Sequence, residues 1–130
     1  MTGHQWRFTE DDIVGYSARR MNLISRQELK EKLDKHDDFK LVMVLGEWHY
    51  RAAHIPSSLH IGGPGDAAKL LELNDEIVVY CSNEACLASK IAYEQLVAHG
   101  YTNVRRYAQG ISDWMDAGYP IEGERVSSEP

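Results

Sequence analysis

The chain has 130 residues, of which 43% are hydrophobic and 26% are charged, a composition typical of a single globular domain and not of a disordered segment. Asp and Glu outnumber Lys and Arg by 20 to 14, so we expect no nucleic acid partner, because phosphate binding requires clustered cations. The longest apolar runs, such as 41–45, have five residues, far fewer than the roughly 20 that span a bilayer, so we expect no membrane partner. The amino end lacks the apolar stretch of a secretory signal, and we therefore expect a cytoplasmic protein with reduced thiols.

Three regions divide the chain. Residues 1–20 are polar, with scattered aromatic residues and no sustained periodicity, and they are interpreted as an N-terminal extension. The regular pattern over residues 21–123 predicts one folded domain, and residues 124–130 are assigned to a C-terminal tail.

The first predicted helix begins at Ser25, after a short apolar piece over residues 21–24. Ser25 and Glu28 have the Ser-x-x-Glu spacing of a helix capping box. Leu29 and Leu33 lie four residues apart on the same face of this helix, so we expect one buried stripe.

Two continuously apolar segments, 41–45 and 77–80, are typical of strands covered on both faces of a parallel sheet. The remaining pattern predicts a short helix over 47–53, a strand around 59–61, a helix near 67–73, a helix over 87–99, a strand over 103–107 and a helix over 111–117. Strands that alternate with helices at these spacings predict an α/β domain, with a parallel sheet and helices on both of its faces.

Both cysteines lie in one short segment between strand 77–80 and helix 87–99, and Cys81 directly follows the strand. In parallel sheets, ligands bind beyond the carboxyl ends of the strands, where the backbone N–H groups of the next helix point outward. The partial positive charge there favours a thiolate, which is the nucleophilic form of cysteine. We therefore predict that Cys81 is a nucleophile, and the alternative is a small apolar residue that closes the strand.

Several ordered motifs resemble those of a rhodanese domain. Val79-Tyr80-Cys81 is followed by a short loop and a helix that ends at His99-Gly100-Tyr101. The resemblance continues through Val104, Tyr107, Gly110, Trp114, the segment 117–121 and Gly123, and His54-Ile55-Pro56 resembles that family's His-Ile-Pro-Gly-Ala segment. The resemblance implies a rhodanese-like fold with a five-stranded parallel sheet flanked by helices.

The resemblance also implies an activity. In rhodanese domains, the cysteine that matches Cys81 accepts a sulfane sulfur, becomes a persulfide and passes the outer sulfur to an acceptor. It implies sulfur transfer between a small sulfur donor and a thiol or a protein sulfur carrier, with no cofactor and no metal. The catalytic residue would be Cys81, and the substrate would be bound by the backbone of Ser82, Asn83, Glu84, Ala85, Cys86 and Leu87.

The loop departs from the common rhodanese pattern Cys-x-x-Gly-x-Arg-Ser. The equivalent serine is Ser89, eight places after Cys81, and the loop contains neither Gly nor Arg. Its one charge, on Glu84, would repel a doubly anionic donor, so we expect weak activity with thiosulfate. Related phosphatases use Cys-x5-Arg, and Leu87 occupies the arginine position here, so phosphoryl transfer is not expected.

A second departure concerns the support of the loop. The family's Asp-x-Arg pair aligns with the apolar segment 43–45, so the loop must be supported by other residues. Glu47, His49 and Arg51 are the candidates for that support.

Cys86 makes a Cys-x4-Cys pair with Cys81, and three interpretations of its role remain open. It could be a second thiol that attacks a persulfide on Cys81, releases sulfide and leaves a disulfide. The pair could also be a thiol redox switch, or Cys86 could simply be a small buried residue. A further alternative for the whole chain is a rhodanese-like binding or regulatory module with poor catalysis.

Two other groups of residues invite functional interpretation. His49, His54 and His60 are separated by five and six positions, which matches no common metal-ligand spacing. Trp48 and Trp114 are expected to pack in the core or at its edge, as bulky aromatic residues usually do.

Overall fold

A computed structural model describes residues 21–124 of the chain. The predicted extension over residues 1–20 and nearly all of the predicted tail lie outside the described residues. The elements in chain order are α1 (Arg26–Asp34), β1 (Lys40–Met43), α2 (Glu47–Ala52), β2 (Leu59–His60), α3 (Pro64–Leu70), β3 (Glu76–Tyr80), α4 (Ala88–Ala98), β4 (Asn103–Tyr107) and α5 (Gly110–Asp116).

The strands form a parallel sheet in the order β2-β1-β3-β4, so the predicted α/β fold class is confirmed. The predicted number of strands is wrong, because the sheet within residues 21–124 has four strands and not five. The apolar piece before α1 contributes a single parallel bridge, from Leu23 to Arg106. It forms no longer strand because Ser25 caps helix α1 immediately after it.

Helix α1 begins where the capping pattern predicts. The Ser25 hydroxyl accepts a hydrogen bond from the Glu28 amide at 3.0 Å, which satisfies one of the free N–H groups of the first turn. The Glu28 carboxylate does not complete the capping box and instead accepts two hydrogen bonds from Arg105, at 2.8 and 3.0 Å. Leu29 on the inner face is fully buried.

The sheet separates two apolar layers. Along the central strand β3, Ile77 and Val79 face α3 and α4, whereas Val78 and Tyr80 face α1 and α5. All four side chains are fully buried, as expected for a strand that is covered on both faces. Helices on both faces of the sheet were predicted from the sequence, and this layering confirms them.

Trp48 and Trp114 differ in burial. Trp114 on α5 is buried and donates its indole N–H to the carbonyl oxygen of Pro120 at 2.8 Å. The prediction for Trp48 is wrong, because its position on the outer side of the short helix α2 leaves it 65% exposed. Within residues 21–124, none of the helices combines the length and the apolar composition of a membrane-spanning segment.

Candidate active site

Cys81 directly follows β3, the strand that lies between β1 and β4. The first turn of α5 holds the main chain here, because the amide of Ile111 donates to the carbonyl oxygen of Cys81 at 2.9 Å and the amide of Ser112 donates to that of Ser82 at 2.9 Å. The start of the loop is therefore fixed by β3 on one side and by α5 on the other.

Cys81 and Cys86 are joined by a disulfide, with their Cα atoms 6.6 Å apart. The sequence predicted reduced thiols, and the structure instead has the oxidised pair. A turn at Asn83 brings the two cysteines together. Its carbonyl oxygen accepts from the Cys86 amide at 3.0 Å, and its side-chain oxygen accepts from the Ala85 amide at 2.9 Å.

The two sulfurs differ in accessibility. Cys81 is only 1% exposed and packs in the apolar layer beneath α4, whereas Cys86 is half-buried. The other predicted substrate-binding residues lie on the same loop. Ser82 is half-buried, and the exposed ones are Asn83, Glu84, Ala85 and Leu87. Of the six loop amides that were expected to bind the substrate, those of Ala85 and Cys86 donate instead to Asn83 within the loop.

Ser89 and Arg106 lie behind the sulfur. The Ser89 hydroxyl is fully buried on the first turn of α4, and its Oγ lies 3.3 Å from Cys81 Sγ. The guanidinium of Arg106, on β4, donates from Nε to Ser89 Oγ at 2.8 Å and from Nη2 to the carbonyl oxygen of Cys86 at 3.4 Å. Arg106 is 7% exposed, so the structure places a buried cation within two hydrogen bonds of Cys81.

Arg106 was not among the residues predicted from the sequence. A usable signal was present, because alternation along β4 places Arg106 on the same face as Val104, which packs in the apolar layer under α4. A charged residue at such a position requires a polar partner. Of the predicted supports, Arg51 pairs instead with Glu47 at 3.7 Å and with Glu124 at 3.4 Å, at the exposed end of α2.

The surface next to the loop is acidic. An open depression of about 440 Å³ is lined by Glu84 together with Asp113 and Asp116 from α5. Burial and the hydrogen bond to Asp113 raise the pKa of Tyr107, so its hydroxyl stays protonated and donates to Asp113 Oδ2 at 2.7 Å. Asp113 also pairs with Arg26 at 2.9 Å, which neutralises part of this negative charge.

Metal binding gains no support from the histidines. Within residues 21–124, no group of three or more His, Cys, Asp and Glu side chains could hold a metal ion. His54 has a packing role, since its ring stacks on Tyr50 at 3.9 Å and its backbone pairs with Glu122.

A cysteine at the carboxyl end of the central parallel strand, followed by a short loop and a helix, defines a class of α/β proteins with a cysteine-containing loop. The chain belongs to the Rhodanese-like domain family, whose pattern matches residues 25–117. This finding confirms the resemblance that was drawn from the sequence motifs.

Curated and solved relatives agree with this assignment. The chain is 30% identical over 128 residues to the "Putative sulfur carrier protein YrkF" of Bacillus subtilis (strain 168), an alignment that covers 87% of this chain and 68% of the relative. The BH2092 protein of Bacillus halodurans has a similar fold, with a TM-score of 0.77 and 22% identity over 92% of this chain and 90% of its own.

Two further solved structures have the same fold. The rhodanese-like domain of the Alr3790 protein from Anabaena sp. matches with a TM-score of 0.72 and 23% identity, over 85% of this chain and 86% of its own. The polysulfide-sulfur transferase of Wolinella succinogenes matches with a TM-score of 0.66 and 16% identity, over 92% of this chain and 89% of its own. The family and the curated relative point to sulfur transfer as the general chemistry of this fold.

Proposed function

We propose that the chain is a sulfurtransferase that carries a sulfane sulfur as a persulfide on Cys81 and passes it to a thiol or a protein acceptor. The observation that carries this proposal is the position of Cys81 at the end of β3, with Ser89 Oγ 3.3 Å from its sulfur. A hydroxyl at that position can donate a hydrogen bond to a thiolate, and the helix that begins beside it adds partial positive charge.

The reaction has two half-reactions. The Cys81 thiolate attacks the outer sulfur of a donor persulfide, the sulfur–sulfur bond of the donor breaks, and the donor leaves as a thiolate. An acceptor thiolate then attacks the terminal sulfur on Cys81, takes it away as a new persulfide and restores the Cys81 thiolate. A covalent intermediate between two such steps predicts ping-pong kinetics.

Catalysis requires that the disulfide be opened first. Cys86 is half-buried and Cys81 is buried, so an external thiolate reaches the sulfur of Cys86 more easily. Its attack forms a mixed disulfide at Cys86 and releases Cys81 as the thiolate leaving group beside Ser89. A second reductant thiol then frees Cys86. We propose the cytoplasm as the compartment, because thiol reductants there supply both electrons.

The charge around the loop bears on the choice of donor. Glu84, Asp113 and Asp116 line the depression beside the loop and repel a dianion such as thiosulfate. The donor we favour is therefore a persulfide of low negative charge, and the acceptor we favour is a thiol or a protein sulfur carrier.

The disulfide itself supports a second candidate, a thiol redox switch. If Cys81 holds a persulfide, the Cys86 thiol can attack the inner sulfur, release hydrogen sulfide and form the observed disulfide. An oxidant such as a peroxide would produce the same bond by removing two hydrogens from the dithiol. In either case, the oxidised chain cannot accept sulfur until a reductant restores the thiols.

Intact-protein mass spectrometry tests these functions on the reduced chain after exposure to a small-molecule persulfide or to thiosulfate. Sulfur transfer predicts a gain of one sulfur in Cys86→Ser, which cannot form the internal disulfide, and no gain in Cys81→Ser. The redox switch predicts that the wild-type chain loses two hydrogens when it is treated with peroxide. Neither Cys86→Ser nor Cys81→Ser should lose them. If Cys86→Ser gains no sulfur from either donor, the transferase proposal is wrong and a binding module becomes the better interpretation.

A further inference from the structure

Arg106 is unusual because its charge is buried under helix α4. Its side chain lies in the layer that contains Val79, Cys81 and Val104, and the residue is only 7% exposed. Burial of a guanidinium costs several kcal/mol unless hydrogen bonds and opposite charge compensate. The position of Arg106 therefore calls for an explanation from the groups that its guanidinium meets.

Two of those groups belong to the cysteine loop and to its helix. Arg106 Nε donates to Ser89 Oγ at 2.8 Å, and Nη2 lies within hydrogen-bond reach of the Cys86 carbonyl oxygen at 3.4 Å. Arg106 thus contacts both ends of the segment that runs from the second cysteine into the first turn of α4. A fully charged and planar donor group can fix both contacts at once.

The contact with Ser89 sets the direction of its hydroxyl. Arginine has only donors, so Ser89 Oγ must accept from Arg106 Nε. The hydrogen of that hydroxyl is then available for the other atom in reach, Cys81 Sγ at 3.3 Å. A thiolate or a persulfide anion on Cys81 is the acceptor that this arrangement fits, because it brings negative charge into the layer that holds the buried cation.

We propose that Arg106 is a positioning residue that acts through Ser89 to stabilise the thiolate and the persulfide anion of Cys81. This inference rests on the sulfur transfer proposed above. Arg106 would replace the arginine that the common rhodanese loop contains, although Arg106 lies on strand β4 and not on the loop. It supplies the positive charge that the Cys-x4-Cys loop itself lacks.

Other charged groups around Cys81 come from each neighbouring element. Glu84 is exposed on the loop, Glu94 is buried on α4, and Asp113 lies on α5 in its pair with Arg26. The phenol of Tyr107 on β4 stays protonated. Two further cations lie on these elements: Lys90 is half-buried next to Ser89 on α4, and Arg105 on β4 pairs with Glu28. The carboxylates disfavour a thiolate, whereas Arg106 favours it, because its guanidinium is hydrogen-bonded to the hydroxyl that contacts Cys81 Sγ.

The experiment measures the pH dependence of Cys81 alkylation by iodoacetamide in the reduced Cys86→Ser protein, where Cys81 is the single cysteine. Arg106→Gln and Ser89→Ala should each move the alkylation midpoint to higher pH by about one unit, so that the alkylation rate at a pH well below both midpoints falls about tenfold. Arg106→Lys keeps the charge and should recover part of that rate. Arg105→Gln is the matched control, because Arg105 is the neighbouring residue on β4 and pairs with Glu28 at the surface.

A double variant that combines Arg106→Gln with Ser89→Ala provides a sharper test. If Arg106 acts through Ser89, the double variant should lose little more than the Ser89→Ala variant, whereas independent effects would multiply. Circular dichroism confirms that each variant is folded, and if Arg106→Gln does not fold, Ser89→Ala and Arg106→Lys decide the result. Unchanged alkylation midpoints in the folded variants would overturn the inference.

The failure of this inference can be separated from a failure of the proposed function. If the Cys86→Ser protein gains sulfur at the same rate and has the same alkylation midpoint with and without Arg106→Gln, Arg106 has no such role and sulfur transfer remains. If the Cys86→Ser protein gains no sulfur at all, sulfur transfer is wrong, and a shifted alkylation midpoint in Arg106→Gln then reports only on the thiolate of Cys81.

Discussion

Gly110 lies directly against the main chain of Ser82. A Cβ atom on residue 110 would lie 2.6 Å from the carbonyl carbon of Ser82 and 2.5 Å from the carbonyl oxygen of Cys81, and Gly110 has a φ of +74°. Both the close approach and the backbone conformation require glycine here. This contact allows the first amides of α5 to reach the carbonyl oxygens of the cysteine loop.

Replacement of Gly110 by alanine should therefore damage both stability and the site. We expect the free energy of unfolding to fall by at least about 2 kcal/mol, because the methyl group meets rigid backbone in addition to the strain of a positive φ. Gly118→Ala is the control, since Gly118 has a φ of +80° and no atom within 4 Å of its Cβ position. Urea unfolding measures both variants, and equal losses would contradict the role assigned to the Ser82 contact.

The acidic surface beside the loop should limit the use of thiosulfate. Glu84→Gln should raise thiosulfate turnover several-fold, because it removes one of the negative charges that line the depression. The gain should shrink at high ionic strength, where exposed charges are screened. Steady-state assays with thiosulfate and with a neutral persulfide donor give the measurement.

The control for Glu84 is Glu72→Gln, which removes the same charge far from the loop. Glu72 borders a groove with His99 and Tyr101, at the end of α4 opposite to the cysteine loop. An equal gain in both variants would show that net charge, and not the position of Glu84, controls the rate.

Most of the fold could be predicted because it depends on patterns that are local in the chain. The apolar runs around Val42 and Val79 identified buried parallel strands, and Ser25 marked the start of α1. The strand count was wrong because pairing at the sheet edge depends on tertiary contacts. The segment before Ser25 is as apolar as a strand, but it makes one bridge and then enters the helix.

The site could be predicted only in part, for a similar reason. The position of Cys81 follows from its place between a strand and a helix, and Ser89 follows from the family pattern. The contact between Arg106 and Ser89 joins residues that are 17 positions apart and depends on the registry of β3 with β4. The disulfide likewise depends on the path of the loop, which the turn at Asn83 determines.

Tyr80 should contribute to stability through its buried hydroxyl. The hydroxyl accepts from the Ile55 amide at 3.0 Å and lies 2.9 Å from Ser58 Oγ, which itself donates to the Ile55 carbonyl oxygen at 2.6 Å. Tyr80→Phe leaves the buried Ile55 amide without this partner, so we expect a loss of about 1–3 kcal/mol at neutral pH. Tyr119→Phe, at a half-buried position beside Trp114, is the control and should lose less.

The same hydroxyl should make the free energy of unfolding depend on pH in the alkaline range. Burial raises the pKa of Tyr80 to about 12, whereas an unfolded tyrosine titrates near about 10. Between these two values the folded chain binds more protons than the unfolded chain, so stability falls as the pH rises. Urea unfolding at several alkaline pH values should show that the difference between wild type and Tyr80→Phe narrows in this window, and a constant difference would contradict the assignment.

The pair of Glu28 and Arg105 should act at the acid end of the pH range. Hydrogen bonds from Arg105 lower the pKa of the Glu28 carboxyl in the folded chain. A carboxyl with a depressed folded pKa stabilises the fold above its unfolded pKa, near about 4.3, and that stabilisation is lost as the pH falls through the folded pKa. Glu28→Gln should therefore lower the free energy of unfolding by about 0.5 kcal/mol at neutral pH, a small value because Glu28 is half exposed.

The difference in stability between Glu28→Gln and wild type should disappear in acid, as measured by thermal unfolding between neutral and acid pH. Glu31→Gln, on the exposed side of the same helix, should show no such pH-dependent difference, and a difference that persists in acid would mean that packing of the Glu28 side chain, and not its charge, stabilises α1 against β4.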